Sequence, residues 1–256
     1  MEKKIRNIRI KASLKNLDYL YNTHILNDNI YNGLKNLLEL RKNFNAFLDI
    51  SKNDKLKKPK ALVAFSGGVD SVASSIIAKK IFDITAITAY SPIIMRPDNK
   101  KNISELAKKL NIKHEFVDID LNEVQKDTLN GKYHPCGRCH KIIEKAVLSY
   151  AKENDIKYII YGDMLSVGYL SIIQEENDII RINMPSYLVI TKNDSRKILK
   201  KNNITISQKY GCPLLRAAHK YNHNKKFTIQ RILREVRAQV IDKDEGLNNI
   251  LEVLNI

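Results

Sequence analysis

Tryptophan is absent from this 256-residue chain, and cysteine occurs only three times. Three cysteines are too few for the disulfide scaffolds that hold small secreted domains together. No run approaches the roughly 18 apolar residues a membrane helix needs, so no membrane partner is expected. The first twenty residues carry no apolar h-region, which argues against a secretory leader. Thiols expected to stay reduced then place the chain in the cytoplasm. There is no internal repeat and no low-complexity tail. Also missing are a G-x-S-x-G elbow, an H-E-x-x-H helix and any Cys–His hydrolase arrangement.

Acid is in short supply. Asp plus Glu number 28 against 44 Lys plus Arg, a formal charge of +16. A field of that sign attracts polyanions such as RNA, DNA and nucleotides. The Lys, Asn and Ile bias is also what an AT-rich genome produces, so charge alone leaves the partner open.

What is present has a rhythm. Residues 14–50 place apolar side chains three and four apart, at Leu17, Leu20, Tyr21, Ile30, Leu34, Leu37, Leu38, Phe44, Phe47 and Leu48. That spacing predicts amphipathic helices. A charged run closed by Pro59 reads as a linker. Residues 1–58 are therefore a helical N-terminal extension, and 59–256 the main domain. Two readings of the extension stand side by side: an arm packed on the main domain, or an accessory domain that touches substrate.

Beyond Lys60, short apolar runs at 61–65, 84–90, 112–120, 156–162 and 178–185 alternate with helical patterns at 72–82, 102–111, 139–154, 195–203 and 228–242. Ser104 is expected to cap the second of these helices. The alternation predicts an α/β fold with a parallel sheet and helices on both faces. Such sheets bind ligands at the carboxyl ends of their strands.

The first strand runs into Ser66-Gly67-Gly68-Val69-Asp70-Ser71 and then a helix. Glycines let backbone amides approach an anion, and the helix N-terminus adds its dipole. Ser66 and Ser71 offer hydroxyls, Ala64 ends the strand, and Asp70 can hold Mg²⁺ on phosphates. A Walker A loop has a different spacing, as does the dinucleotide fingerprint.

Cys136 and Cys139 form a C-x-x-C before a helix, and Cys212 follows far along the chain. Three readings are open: a redox pair, a zinc site completed by His134, His140 or His219, or an iron–sulfur site with one iron left open. Arg231, Arg234 and Arg237 fall three apart on the last helix, beside an apolar stripe of Ile229, Ile232, Leu233, Val236 and Val240. With Lys220, Lys225 and Lys226 they read either as a phosphate-binding patch or as a solvated face. Arg138, Lys141 and His140 lie beside the C-x-x-C, where a substrate phosphate or a cluster would feel them. His24, His114 and His223 are expected on the surface.

SGGVDS resembles the signature of the PP-loop, or N-type, ATP pyrophosphatases, which have an adenine-nucleotide α-hydrolase-like fold. The resemblance is sharp over 61–73 and extends to about residue 200. It implies that Ala64, Ser66, Gly67, Gly68, Asp70, Ser71 and Gly162 hold ATP with Mg²⁺, and that a carbonyl oxygen is adenylated with release of pyrophosphate. Asp163, after the fourth strand, becomes a candidate magnesium or substrate contact. The cysteine layout is similar to that of PP-loop enzymes that thiolate tRNA, in which C-x-x-C and a later cysteine ligate a 4Fe–4S cluster. That likeness implies Cys136, Cys139 and Cys212 as cluster ligands, with Asp70, Asp163 and Cys212 as catalytic residues. Those enzymes usually carry Lys where this chain has Val69. The expected activity is ATP-dependent thiolation of a tRNA base, with tRNA and a sulfur donor as partners and a homodimer as the common assembly. Two alternatives remain: sulfur removal from, or transfer to, a thiolated base or small molecule, and a zinc-stabilised RNA-binding module without catalysis.

Overall fold

The computed structural model describes residues 1–48, 58–164, 171–207 and 210–255. Most of the charged segment read as a linker, 51–57, lies outside the described residues. Six strands form one sheet: β1 (Lys60–Ala64), β2 (Asp83–Tyr90), β3 (Lys113–Asp118), β4 (Tyr158–Tyr161), β5 (Ile172–Gln174) and β6 (Ile180–Asn183). Their order is β3-β2-β1-β4-β6-β5. All neighbours pair parallel except β5, which runs antiparallel to β6.

The inner strands are apolar on both faces, as a sheet covered by helices on each side requires. Ala61 and Val63 of β1, with Ile160 of β4, join the large core on one face. Leu62, Ile159 and Tyr161 point the other way, into a smaller core. The α/β architecture expected from the alternation is the one observed.

Helices α1 (Lys3–Asn22), α2 (Asp28–Leu40) and α3 (Phe44–Leu48) precede β1. Leu17, Leu20, Ile30, Leu34, Leu38 and Phe47 are buried in the same large core as the sheet. The helical extension therefore packs as a layer of the fold. Buried Arg41 locks it there, donating to the carbonyls of Leu188 (3.0 Å) and Val189 (3.2 Å) and to Asp194 Oδ2 (2.7 Å).

Next come α4 (Val69–Ala78), α5 (Pro97–Lys109), α6 (Asn122–Leu129), α7 (Cys136–Glu153), α8 (Met184–Tyr187), α9 (Lys192–Lys201), α10 (Pro213–Ala218), α11 (Asn222–Arg237) and α12 (Lys243–Leu254). Three sequence expectations need correction. Helix α5 starts at Pro97, so Ser104 lies inside it and donates to Lys100 O at 3.2 Å instead of capping. Proline at the first helical position sets that start. The last expected helix, 228–242, is shifted toward the N-terminus: it runs from Asn222 to Arg237, Gln239 takes φ +56°, and Asp242 caps a further helix, α12, through Glu245 N at 2.8 Å. Leu233 is not part of the apolar stripe, being 53% exposed.

Candidate active site

The carboxyl ends of β1 and β4 lie side by side, with Val63 paired to Ile160. From β1 the chain steps outward to β2, whereas β4 lies on the other flank, so the sheet order reverses there. A crevice opens at such a reversal.

The loop after β1 fills one lip. Ala64 is the last strand residue, in register with Ile87. Phe65 anchors the turn, donating its N–H to Ile87 O at 2.8 Å and accepting from the Thr88 hydroxyl. Gly67 has φ +71°, and a Cβ there would meet Ile103 Cγ1 at 2.5 Å. Only glycine suits both demands. Ser66 Oγ donates to Ser71 Oγ at 3.1 Å, and Ser71 Oγ lies 3.0 Å from Gly68 O. Gly68 then opens α4, whose exposed amides make an anion seat.

Gly162 supplies the other lip. A Cβ on it would lie 2.8 Å from Ser71 N. The end of β4 thus closes on the first turn of α4 only because Gly162 has no side chain. Asp163 follows, with Oδ2 accepting from Arg181 Nη2 at 2.8 Å and its carbonyl from Ser186 Oγ at 2.9 Å. Arg181 also reaches Glu144 and Asn183 and lies over the Tyr161 ring at 4.1 Å.

Asp70 sits on the first turn of α4. Its Oδ2 is 2.5 Å from Lys192 Nζ, whereas Oδ1 is buried without a hydrogen-bond partner. An orphaned carboxylate oxygen beside a glycine cradle fits a Mg²⁺ ion carried by nucleotide phosphates. Lys192 was not singled out from the sequence. A signal existed: Thr191-x-x-Asp194 is a capping box, and it places Lys192 in a helix's first turn. A cation opposes the dipole there and calls for a nearby anion.

Cys139 and Cys212 share an apolar cluster, the second candidate pocket. Cys136 and Cys139 lie one turn apart at the start of α7. Cys212 is the N-cap of α10, its Sγ accepting from Leu215 N at 3.4 Å. Cys139 and Cys212 pack with Leu121, Val124, Leu214 and Ile142. Burial, then Cys212 and Cys136, push the Cys139 thiol up to about 12. Burial also raises Cys136, opposed by a hydrogen bond and the charge of Arg231. Among the described residues, no group of three or more His, Cys, Asp or Glu is placed to hold a metal ion. Cys139 and Cys212 in one apolar cluster, with Cys136 one turn before Cys139, offer the sulfur donor set of an iron–sulfur cluster.

The histidines beside them are otherwise engaged. His134 Nε2 and His219 Nε2 both meet Thr228 Oγ1, at 3.1 and 3.0 Å. Burial, His219 and Arg231 lower the His134 imidazole to about 4. His140 faces Glu144 at 3.4 Å. Arg138 pairs with Asp127 and Glu123, at 2.5 and 3.0 Å. His114, expected on the surface, is half-buried against Phe65 and Phe116, with its ring 2.8 Å from Thr88 Oγ1.

Arg231 and Glu235 are neighbours on α11, Arg231 half-exposed and Glu235 largely covered. Arg231 Nε donates to Glu235 Oε1 at 3.2 Å. Burial works to lower the guanidinium, but Tyr210, Glu235 and Cys136 outweigh it and raise it. Burial raises Glu235, against the pull of Arg231 and Lys192, and Asp70 adds to the rise. The charge of Arg231 is thus felt at Cys136, and Glu235 on the same helix feels the charges of Lys192 and Asp70. Sequence reading saw Arg231 only as one member of a surface stripe.

A family model for the thiamine biosynthesis protein ThiI matches residues 57–230. The uncharacterized protein MJ1638 of Methanocaldococcus jannaschii is 49% identical over 255 residues, covering 100% of this chain and 95% of that protein. The uncharacterized protein MJ1599 of the same organism is 28% identical, over 72% of this chain and 70% of its own. The uncharacterized protein slr1717 of a Synechocystis strain is 25% identical, over 75% and 71%. Among solved structures, the U34-tRNA thiolase NcsA from Methanococcus maripaludis with its 4Fe-4S cluster aligns at TM-score 0.45 and 16% identity, over 80% of this chain and 79% of that one.

Proposed function

The chain belongs to the ThiI family, and from that premise we propose that it is an ATP-dependent sulfurtransferase that adenylates and thiolates a base in tRNA. The observation that carries the proposal is the glycine cradle with Asp70 Oδ1 buried and unpartnered beside it, in a chain whose C-x-x-C packs Cys139 against Cys212.

In this reading the amides of Gly67 and Gly68 and the hydroxyls of Ser66 and Ser71 grip the ATP phosphates. Asp70 would hold Mg²⁺, Lys192 neutralises charge beside it, and Gly162 lets the end of β4 pack against the first turn of α4. The carbonyl oxygen of the base attacks the α-phosphorus and pyrophosphate leaves. A sulfide ion then adds to the activated carbon, and the carbon–oxygen bond breaks with AMP carrying the oxygen away. Sulfide plus ATP gives a thiocarbonyl, AMP and pyrophosphate, with no net oxidation. Cys136, Cys139 and Cys212 would hold a 4Fe–4S cluster, which supplies an iron free of protein ligands for binding sulfide. Asp163, held by Arg181, stands beside Gly162 as a substrate or Mg²⁺ contact.

Replacing Cys212 by Ala separates the two pockets. Thiolation of tRNA should be lost while ATP binding, measured by equilibrium dialysis, stays at the parent level. A Cys212→Ala protein that still thiolates tRNA contradicts the role given to the cysteines.

A further inference from the structure

Helices α10, α11 and α12 border a cavity of about 490 Å³, lined by Tyr210, Arg216, His219, Lys220, Lys225 and Glu252 among others. It neighbours the thiol pocket. Arg216 N donates to Cys212 O at 3.0 Å, so the cavity wall and the third cysteine share one turn. Tyr210 lines the cavity too, and its hydroxyl is buried without a hydrogen-bond partner.

The charges are unbalanced. Arg216, Lys220 and Lys225 have no ion-pair partner among the described residues, and Lys220 lies over the Tyr221 ring at 4.9 Å. Glu252 is the one carboxylate in the lining. Burial and then Lys225 both push the His219 imidazole down, against taking up a proton. Three cations against one anion reject a cationic ligand and disfavour an apolar one. Lys226, Arg234 and Arg237, all exposed on α11, extend the positive surface beyond the cavity. Two large aromatic side chains stand exposed nearby: Phe227 at 55% and Tyr133 at 48%. The Phe227 ring lies 5.9 Å from the ring of His134, two residues before Cys136. Cations beside exposed rings are the surface that single-stranded nucleic acid uses, phosphate on one and base on the other.

We propose that this cavity seats a backbone phosphate of the RNA whose base is thiolated, with Arg216, Lys220 and Lys225 as its contacts and Phe227 as a stacking face for a neighbouring base. The assignment rests on the tRNA reading above and names the surface that reading requires.

The test uses the full chain and fluorescently labelled tRNA, with anisotropy followed across a series of salt concentrations. Lys220→Gln/Lys225→Gln should weaken binding about tenfold or more and lower the slope of log affinity against log salt by about 2. Lys220→Arg/Lys225→Arg should keep both, which separates lost charge from lost folding. ATP affinity should not change in either. Parental tRNA affinity and slope in the glutamine variant overturn the cavity's role. So does parental tRNA affinity combined with lost binding of a phosphorylated mononucleotide, which would give the cavity to a small phosphate ester. If tRNA-dependent pyrophosphate release persists through either result, the proposed function survives and only the cavity assignment falls. A parent protein that binds no tRNA overturns both.

Discussion

Lys192 Nζ lies 2.5 Å from Asp70 Oδ2, a contact that ties the first turn of α9 to the first turn of α4. Both side chains are mostly out of solvent, at 28% and 19% exposure. The pair sets the charge at the mouth of the glycine loop. Lys192→Gln should cut pyrophosphate release by about 100-fold, the size expected when one preorganised electrostatic contact to a reacting group is removed. Asp70→Asn should do the same and also lower Mg²⁺ dependence. A pyrophosphate assay at saturating ATP reads both. Parental turnover in Lys192→Gln would remove Lys192 from the site.

Gly162 and Ser71 make a second close relationship. Gly162→Ala puts a methyl 2.8 Å from a backbone nitrogen that cannot yield without moving α4. Overpacking of this kind costs about 1–3 kcal/mol. The expected outcome is a lowered Tm together with weakened ATP binding, both restored by returning glycine. An alanine variant with unchanged ATP affinity would mean that the lips of the crevice are not rigid.

The N-terminal helices reach the nucleotide loop through Asp194. That carboxylate accepts from Arg41 at 2.7 Å and from Thr191 N at 3.1 Å, and Lys192 follows directly. Asp194→Ala leaves Arg41 buried and unpaired, which costs about 3–5 kcal/mol. Denaturant unfolding should show that loss, and pyrophosphate release should fall with it at temperatures where the variant is folded. Normal turnover in a folded Asp194→Ala protein would separate the extension from the site.

The thiols of metal-free protein should be slow nucleophiles. Cys139 stands at about 12, and Cys136 is raised by burial, so little thiolate exists near neutral pH. Alkylation by iodoacetamide should be slower than for free cysteine, and its rate should climb with pH past about 9. Arg231 pulls Cys136 down, so Arg231→Gln should slow Cys136 further. Peptide mass spectrometry after timed quenching reads each cysteine separately. Faster alkylation of Cys136 in that variant would contradict the contact. Because bound sulfur must be thiolate, metal loading should release protons and tighten as pH rises.

Local signals were the readable ones. β1 is a short apolar run and its turn needs glycine at φ +71°, so both were visible in five to nine letters. Cys136 and Cys139 were visible for the same reason. Lys192 was not, because it acts on a residue 122 positions earlier and only the folded sheet brings them together. Arg231 looked like its neighbours Arg234 and Arg237, and all three are exposed; helical period alone does not say which of them reaches Glu235. β5, at three residues, is too short to carry an alternating pattern. His114 looked like a lone surface histidine, yet it sits on β3 beside Phe116 and takes a partner from β2.

The central claim is that ATP-driven sulfur transfer to a nucleobase occurs on this chain. The most direct test incubates anaerobically iron-reconstituted protein with unmodified tRNA, ATP, Mg²⁺ and sulfide, then digests the RNA to nucleosides for mass spectrometry. The account predicts one nucleoside in which sulfur replaces oxygen, formed with equal amounts of AMP and pyrophosphate and absent without ATP. Thiolation that proceeds without ATP, or ATP cleavage that leaves every nucleoside unchanged, would contradict it.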